Sequence, residues 1–564
     1  MESQRGLLFI ALLVVSFLLF QQWQVDNAPQ PPVETQTASQ SPEQQSGDDD
    51  FIPQANEQAP TAQNVSGKGG IITIASDVLE LKINTRGGDI EGAKLLQYET
   101  EQGSGEAMPI LTNSGFTYVA QSGLVGAQGD SKGNKRATYV AEKTEYKMSG
   151  ESLVVDLTHS NNGIDYIKRF TLKQGKYDVD VEYIVKNNNA IDASVTLFGQ
   201  LKQDSYIEDD GSMFMPTYRG TAYNTSETRY EKLPFDDIEE SNLNTKTKAG
   251  WVAMLQHYFV SAWVPNKTTT NEIYSSYNAS KGQAIIGFKQ PSVTIAPGST
   301  ETVSAVFYVG PKDQKALEDI AEDLNLTVDY GPLWFISEAL FALLIFIQSG
   351  WINFLGLIEI DLGFGVGNWG IAIIITTIIV KMFLYPLTKA QYTSMAKMRK
   401  VQPKMQALKE RYGDDRQKMS QAMMELYKKE KVNPAGGCLP LLIQMPIFLA
   451  LYWVFMESVE LRHAPFVLWI TDLSSMDPYF VLPLLMGASM WLMQKLQPNM
   501  ATDPMQQKMM QWMPVFFTFF FLWFPSGLVL YWLASNLITI VQMLWIFREI
   551  EKSEEQGKAK ASKK

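Results

Sequence analysis

Residues 369–387 read WGIAIIITTIIVKMFLYPL, and this stretch decides the fold class because it is long and apolar enough to cross a bilayer. A helix needs about 20 apolar residues to span roughly 30 Å of hydrocarbon. Four later stretches, at 437–456, 479–496, 511–524 and 527–547, are also apolar, although 511–524 is short. The chain is therefore predicted to be a polytopic membrane protein.

Charge divides the 564-residue chain into two parts. Residues 1–330 contain 26 Lys+Arg against 43 Asp+Glu, a net charge of −17, whereas residues 331–564 contain 22 against 17, a net charge of +5. An acidic part followed by a basic, apolar part indicates two compartments rather than one uniform globule.

The first 26 residues are predicted to form a transmembrane anchor, because Arg5 precedes an apolar run from Gly6 to Phe20. A cleaved signal peptide is the alternative, but no small-x-small cleavage site follows the run. Residues 27–68 are rich in Gln, Pro, Ser and Asp, and contain too few apolar residues to fold. We expect a disordered linker there.

Residues 69–328 alternate apolar and polar positions between Gly and Asn turns, as in YDVDVEYIV at 177–185 and VSAVFYV at 303–309. Short strands of this kind, repeated regularly, predict an antiparallel sandwich. Its acidity and its position after an anchor place it outside the cytoplasm. Aromatic residues such as Trp251, His257 and Tyr258 line either a ligand cleft or the core of the sandwich.

Loop charge sets the predicted topology. Residues 388–434 carry 12 Lys+Arg against 5 acidic residues, so this loop faces the cytoplasm by the positive-inside rule. The anchor crosses outward and 369–387 crosses inward, so the apolar stretch 333–347 must not cross; we expect an interfacial helix on the outer face. The prediction is six spans with both termini inside. The corresponding segments are 329–368 (interfacial helix and connection), 369–387 (second span), 388–434 (cytoplasmic hairpin), 435–547 (spans three to six) and 548–564 (basic cytoplasmic tail).

Lys381 is the candidate functional residue, because it lies at membrane depth. It follows Trp369 by 12 residues, which places it about 18 Å into the helix at 1.5 Å per residue. A charge at this depth costs several kcal/mol unless it faces a water-filled cavity. The alternative is snorkelling of its stem toward the headgroups. Polar residues in the same span and in two other spans favour a shared groove; they are Thr377, Gln444, Trp532 and Asn536.

The basic loop 388–434 is predicted to be an antiparallel helical hairpin, since two stretches of helical composition flank Gly413-Asp414. Met395 and Met398 fall on one face of the first helix, and Met419 and Met423 on one face of the second. This stripe is either the seam between the helices or an adaptable surface for apolar clients. Pro403 should kink the first helix or mark its N-terminal break.

Two further features lie near the C-terminus. Several methionines between 500 and 513 are expected in an inner loop before the fifth span. The tail 548–564 carries six Lys+Arg and either binds anionic lipid or ribosomal RNA or acts only as a solvated topology determinant.

The common catalytic and cofactor motifs are missing. Cys438 is the single cysteine, which excludes disulfides within the chain and cysteine-rich zinc sites. The three histidines form no HExxH pair, and no GxxxxGK[ST] loop occurs. We therefore expect a non-enzymatic protein that uses neither nucleotide nor metal.

Four stretches of the helical part form long motifs: AQYTSMAKM at 390–398, NPAGGCLP at 433–440, LIQMPIF at 442–448, and LWFPSGL at 522–528 with Tyr531-Trp532. These motifs closely resemble the YidC membrane protein insertase family of Gram-negative bacteria, and the resemblance covers essentially the whole chain.

The resemblance implies an all-β periplasmic supersandwich and a helical core of five spans around a hydrophilic groove open to cytoplasm and lipid. It implies that Lys381, Thr377, Gln444, Tyr531, Trp532 and Asn536 line the groove. In the family the groove charge is commonly arginine, so the lysine keeps the charge and loses the planar donor fork. A second departure is the stretch 350–366, which is longer than expected.

The resemblance also implies a function and partners. The protein would insert and chaperone proteins of the bacterial inner membrane, alone or with the Sec translocon and its accessory proteins. Ribosome–nascent chains, the targeting receptor and membrane lipids would be further partners. Two rival hypotheses are a secondary transporter, against which no inverted repeat is visible, and an anchored sugar-binding protein that works through its sandwich.

Overall fold

A computed structural model describes residues 53, 70–132, 135–206, 217–354, 358–361, 363–413, 415–430, 439–497 and 504–561. The anchor predicted at 1–26 and the linker predicted at 27–68 lie outside these residues, apart from Pro53. The chain divides into two compact units. The β unit contains Asp49–Trp334 and Met456–His463, and the helical unit contains Phe335–Phe455 and Ala464–Lys564.

The β unit consists mainly of antiparallel strands, with two short helices, α1 (Phe235–Glu240) and α2 (Gln314–Ile320). The strands are β1 (Ile71–Ala75), β2 (Leu79–Asn84), β3 (Asp89–Glu99), β4 (Ala107–Ser114), β5 (Phe116–Val125), β6 (Ser131–Lys132), β7 (Lys135–Arg136), β8 (Val140–Ala141), β9 (Glu145–Lys147), β10 (Ser152–Asn161), β11 (Ile164–Lys173), β12 (Asp178–Asn187), β13 (Ala193–Asp204), β14 (Gly220–Asn224), β15 (Glu231–Leu233), β16 (Asn244–Lys248), β17 (Trp251–Leu255), β18 (Phe259–Pro265), β19 (Thr270–Asn278), β20 (Gln283–Lys289), β21 (Val293–Ile295) and β22 (Thr300–Pro311).

Two large sheets contain nearly all of these strands. The first has the order β16-β19-β20-β13-β5-β4-β3-β2-β1-β9, with β21 added beside β13. The second has the order β15-β14-β17-β18-β22-β12-β11-β10-β8. The pairings are antiparallel except that of β1 with β9, which is parallel. The prediction of an all-β sandwich is confirmed.

Alternation of apolar and polar residues suits these strands, because successive side chains point to opposite faces of a sheet and only one of the two faces is buried. In β11 and β12, buried and partly exposed residues alternate, and the buried Phe170 lies opposite Val181. β17 and β18 are buried along their whole length. Their second face packs against Leu317 of α2 and Leu324 of the following 3₁₀ turn.

A buried polar network joins the strands inside the β unit. Arg136 forms an ion pair with Asp89, and both side chains are buried. Lys168 Nζ donates hydrogen bonds to the carbonyl oxygens of Gly87 (3.0 Å) and Ser122 (3.2 Å). Gly87 has a φ of +77°, and a Cβ there would clash with the Arg136 guanidinium, so the position requires glycine.

The helical unit begins with α3 (Trp334–Ser349), whose first residue still belongs to the β unit. A two-stranded antiparallel hairpin, β23 (Trp351–Phe354) and β24 (Ile358–Asp361), follows and accounts for most of the unexpectedly long stretch. The remaining helices are α4 (Trp369–Phe383), α5 (Tyr385–Tyr412), α6 (Arg416–Glu430), α7 (Leu439–Glu457), α8 (Val481–Leu496), α9 (Pro504–Phe520) and α10 (Ser526–Ala561).

The observed helix limits bear on three features of the sequence. α5 begins at Tyr385, after a bend of 64° relative to α4, so Pro403 lies inside the helix and does not mark its N-terminal break. Met505, Met509, Met510 and Met513 lie within α9 rather than in a loop, because the helix begins at Pro504. The tail is helical as far as Ala561, since α10 continues without a break.

Length and composition identify candidate spans among the described residues. Gly331–Ser349 and Ser526–Ser553 are each long and apolar enough to cross a membrane, and the bent pair α4 and α5 makes a third if counted as one span. Val481–Leu496 is a shorter apolar helix. The interfacial position of 333–347 and the count of six spans stay predictions.

Candidate functional site

Lys381 lies near the C-terminal end of α4 and is 7% exposed. The helix begins at Trp369, and the side chain of the preceding Asn368 caps it by accepting a hydrogen bond from Ile371 N. Lys381 Nζ donates to Gln444 Oε1 on α7 (3.3 Å) and to Thr539 Oγ1 on α10 (3.0 Å). The lysine thus joins three helices.

A second set of hydrogen bonds surrounds this contact. Gln444 Nε2 donates to Ser535 Oγ on α10 (3.2 Å), and Gln542 Nε2 donates to the carbonyl oxygen of Lys381 (3.3 Å). Thr539 Oγ1 itself donates to the carbonyl oxygen of Ser535 (2.7 Å). Within the described part of the chain, Lys381 has neutral oxygen partners and no carboxylate partner. These partners therefore bind the ammonium group without supplying a negative charge that neutralises it.

Three polar residues near the lysine were not predicted from the sequence; they are Ser535, Thr539 and Gln542. These residues follow one another at spacings of four and three, so they share one face of α10. This spacing was visible in the sequence as a polar stripe in an apolar helix. Their contact with Lys381 was not visible, because it depends on how α4 and α10 pack.

The other predicted groove residues divide into two groups. Thr377 is buried, and its hydroxyl donates to Ile373 O within α4 (2.7 Å) rather than to Lys381. Asn536 Nδ2 donates to Ser489 Oγ on α8 (2.9 Å). Both residues therefore lie in the polar interior of the helical unit, although their side chains contact other groups than the lysine.

Trp532 and Tyr531 belong to an aromatic cluster. The Trp532 ring lies 4.5 Å from the Phe448 ring on α7 and 5.0 Å from the Phe521 ring, measured between centroids. The Tyr531 ring is 6.4 Å from that of Phe455. Trp532 precedes Thr539 by seven residues, about 10 Å along the helix. The site therefore combines a polar layer around Lys381 with an aromatic layer two turns away.

The methionines of the hairpin pack against different partners. Met398 packs in the seam between α5 and α6, in a cluster that includes Met423. Met395 packs instead with Tyr392 and with Met543 of α10. Met395 is therefore not part of the seam between α5 and α6, because the first turns of α5 lie against α10. Met419 is partly buried on α6.

The aromatic residues of the β unit do not form an open cleft at the predicted positions. Trp251 is buried, and its Nε1 donates to Glu322 O (3.1 Å). His257 stacks on Tyr258, and its Nε2 lies 2.7 Å from Met456 O. Burial lowers the pKa of His257 to about 4, so the ring is neutral and its Nε2–H donates. No cluster of metal-ligating side chains occurs in the part of the chain that the structure describes.

Two protein families match this chain. The family described as "YidC periplasmic domain" matches residues 71–343, and the family described as "60Kd inner membrane protein" matches residues 362–554. A membrane protein insertase YidC from Pseudoalteromonas atlantica (strain T6c / ATCC BAA-1087) is 55% identical over 558 residues, covering 98% of this chain and 99% of the relative. One from Shewanella sp. (strain ANA-3) is 53% identical over 559 residues with the same coverage.

A solved structure described as an active YidC insertase with the first transmembrane domain resolved covers 85% of this chain and 92% of its own, with 18% identity and a TM-score of 0.35. The family is shown by the two relatives, because each shares more than 50% sequence identity with this chain over almost the full length of both chains. This chain belongs to the YidC membrane protein insertase family.

Proposed function

We propose that this chain inserts and chaperones proteins of the bacterial inner membrane through a groove built around Lys381. The observation that carries the proposal is the hydrogen bonding of one buried, uncompensated cation to α7 and α10. Such a charge is too costly in lipid unless water or a polar ligand reaches it. A hydrophilic segment of a client protein is a ligand of this kind.

The groove would act by shortening the polar path across the bilayer. A client's short hydrophilic tail would enter beside Lys381, Gln444 and Thr539, where polar side chains replace part of its hydration. Its apolar segment would then leave past α7 and α9 into lipid. The aromatic layer around Trp532 would close the groove beyond the lysine. These steps need no nucleotide, metal or covalent intermediate.

Partners and topology belong to the same proposal. We place both termini and the hairpin in the cytoplasm and the β unit in the periplasm, with six spans. The Sec translocon with its accessory proteins, ribosome–nascent chains and the targeting receptor would deliver or share clients. The exposed cations of the hairpin and of the end of α10 are suited to phosphate-bearing surfaces, either anionic lipid or ribosomal RNA.

The decisive experiment uses liposomes that contain only this purified protein. A small client with a short translocated tail is synthesised beside them, and the fraction protected from external protease is measured. Protection above that of empty liposomes is expected. An absence of protection, with the protein correctly folded and oriented, would contradict the proposal.

A deletion separates this function from sugar binding. Removal of residues 70–320 should leave client insertion detectable, because Lys381 and its hydrogen-bond partners all lie in the helical unit. Complete loss of insertion, with the shortened protein still present in the membrane, would instead place the function in the β unit.

A further inference from the structure

Two buried polar atoms near Lys381 have no hydrogen-bond partner among the residues that the structure describes. They are the side-chain oxygen Oε1 of Gln542 on α10 and the hydroxyl oxygen of Tyr385, the first residue of α5. Burial of a polar atom without a partner costs free energy, and native proteins keep few such atoms. Two of them beside one site favour a ligand that supplies the missing hydrogen bonds.

The amide group of Gln542 has a fixed orientation. Its Nε2 donates to the carbonyl oxygen of Lys381 at 3.3 Å. The amide cannot be reversed, because two oxygen atoms, neither of which carries a hydrogen, would then face each other. Oε1 is therefore an acceptor without a donor, and a ligand that suits it must carry an N–H or O–H group.

Tyr385 lies against the same part of α10. The Tyr385 ring is 5.6 Å from the Trp545 ring, measured between centroids, and Trp545 follows Gln542 by three residues. Tyr385 also packs against the apolar cluster that contains Met543. Both polar side chains are only partly buried, so a ligand reaches their oxygen atoms after small displacements of neighbouring side chains. An acceptor and a hydroxyl group therefore occur together beside the lysine.

These two groups suit a different ligand from the one that Lys381 suits. Lys381 offers N–H donors and a positive charge, which match a carboxylate. Gln542 offers an uncharged acceptor, and Tyr385 offers an uncharged hydroxyl group. The backbone of an extended polypeptide displays an N–H and a carbonyl oxygen at almost every residue. It therefore matches the acceptor and the hydroxyl whatever its side chains are.

We propose that Gln542 and Tyr385 form a second subsite of the groove, which binds the backbone of an extended client tail. Gln542 Oε1 accepts a hydrogen bond from a backbone N–H of the tail, and the Tyr385 hydroxyl donates to a backbone carbonyl oxygen. Gln542 follows Thr539 by three residues, about 4.5 Å along α10, so the subsite adjoins the lysine. Lys381 then recognises the charge of a tail, whereas the subsite recognises any tail. This inference rests on the proposed function and names the part of the client that the groove binds.

The test measures binding of a synthetic client peptide rather than insertion. The peptide has an apolar span and an uncharged tail of about ten residues, and the full-length protein is held in nanodiscs. Energy transfer from a dye on the tail to a dye on Lys397→Cys, an exposed position of α5, in a Cys438→Ser background gives the dissociation constant. A second peptide has an N-methylated tail, in which each backbone N–H is replaced and each carbonyl group is kept.

The two peptides should respond differently to the two substitutions. We expect Gln542→Met to weaken binding of the ordinary peptide about threefold to tenfold, as for the loss of one neutral hydrogen bond, and to leave binding of the N-methylated peptide unchanged. Tyr385→Phe should weaken binding of both peptides by a similar factor, because both retain their carbonyl groups. Gln542→Met also removes the contact with the Lys381 carbonyl oxygen, but a general disturbance of the site would weaken both peptides equally.

Two matched variants serve as controls. Gln511→Met makes the same change at an exposed glutamine of α9. Tyr427→Phe removes a hydroxyl that donates to Met405 Sδ at 3.9 Å in the hairpin. Neither variant should alter the dissociation constant of either peptide, because neither residue lies at the subsite.

Three results would overturn the proposal. The first is equal weakening of both peptides by Gln542→Met, which would show that the variant acts by disturbing Lys381. The second is unchanged binding of the ordinary peptide in the Gln542→Met, Tyr385→Phe double variant, and the third is no measurable binding to the unsubstituted protein. The expected binding pattern without protection of clients in liposomes would contradict the proposed function and still support the subsite.

Discussion

Lys381 Nζ donates a hydrogen bond to Thr539 Oγ1 at 3.0 Å, across a separation of 158 residues in sequence. The Thr539 hydroxyl donates its own hydrogen bond to the carbonyl oxygen of Ser535, so its oxygen accepts from the lysine. A backbone-anchored hydroxyl is therefore one of the two acceptors that orient the buried ammonium. This pair of residues gives the groove charge a defined position.

Removal of the charge should affect clients according to the charge of their tails. Lys381→Ala is expected to slow insertion of clients with acidic translocated tails about fivefold more than that of clients with neutral tails, since ~1 kcal/mol of attraction is lost in a partly hydrated site. Lys381→Arg should retain the preference, and Lys389→Ala, at an exposed lysine paired with Glu549, should not change it. If Lys381→Ala slowed both sets of clients equally, the charge of Lys381 would have no electrostatic role in drawing acidic tails into the groove.

The accessibility of position 381 to a water-soluble reagent should distinguish a groove from a lipid-facing surface. Lys381→Cys, in a Cys438→Ser background, should react with a small charged methanethiosulfonate reagent in membranes. The neighbouring Met382→Cys should not, although Met382 is 60% exposed and Lys381 only 7%, because the surface around Met382 is covered by lipid. Labelling rates measured by mass shift decide the question. Faster reaction at 382 than at 381 would favour the snorkelling alternative.

The hydroxyl of Thr539 should contribute measurably to insertion. Thr539→Val keeps the shape of the side chain and removes an acceptor of Lys381, so we expect insertion of acidic-tail clients to slow about threefold to tenfold. Thr393→Val is the matched control, because that hydroxyl bonds Lys389 O within its own helix (2.7 Å). Insertion rates in proteoliposomes provide the measurement. No difference between the two variants would show that Gln444 alone suffices to hold the lysine.

The segment Met456–His463, which belongs to the β unit, should become less stable as pH rises. Burial, together with the nearby Asp313 carboxylate, raises the pKa of Glu460 from its ordinary value of 4.5 to about 7. A group whose pKa is higher in the folded state binds more protons there, so stability is lost as pH rises from about 4.5 to about 7. Glu460→Gln should therefore match the wild type near pH 4.5 and exceed its Tm by about 2 to 5 °C above pH 7.

Thermal unfolding of the full chain in detergent at several pH values checks this expectation. The lowered pKa of His257 acts in the opposite direction, because stability is lost below pH 6.5, but it is common to both proteins and cancels in the difference. Glu301→Gln, which removes an exposed carboxylate of the same unit, is the control. A Tm difference independent of pH would contradict the titration of Glu460.

Much of the fold could be predicted from local patterns. Alternation in 177–185 and 303–309 corresponds to β12 and β22, because burial of one sheet face imposes a period of two. The apolar run 369–387 contains α4 (Trp369–Phe383), although the run did not indicate that this helix ends at a bend of 64° before Tyr385. The apolar stretch 437–456 placed Gln444 in a span, and the resemblance at 442–448 implied its role in the groove.

The sequence by itself determined the elements, the order of the two units and the position of one charge in an apolar helix. It did so because hydropathy, period and loop charge are properties of neighbouring residues. Only the tertiary structure decided that Lys381 meets Thr539, that Met395 packs on α10 and that residues 456–463 belong to the β unit. Each of these contacts joins residues more than a hundred positions apart, and such partners are selected by how whole helices and sheets pack together.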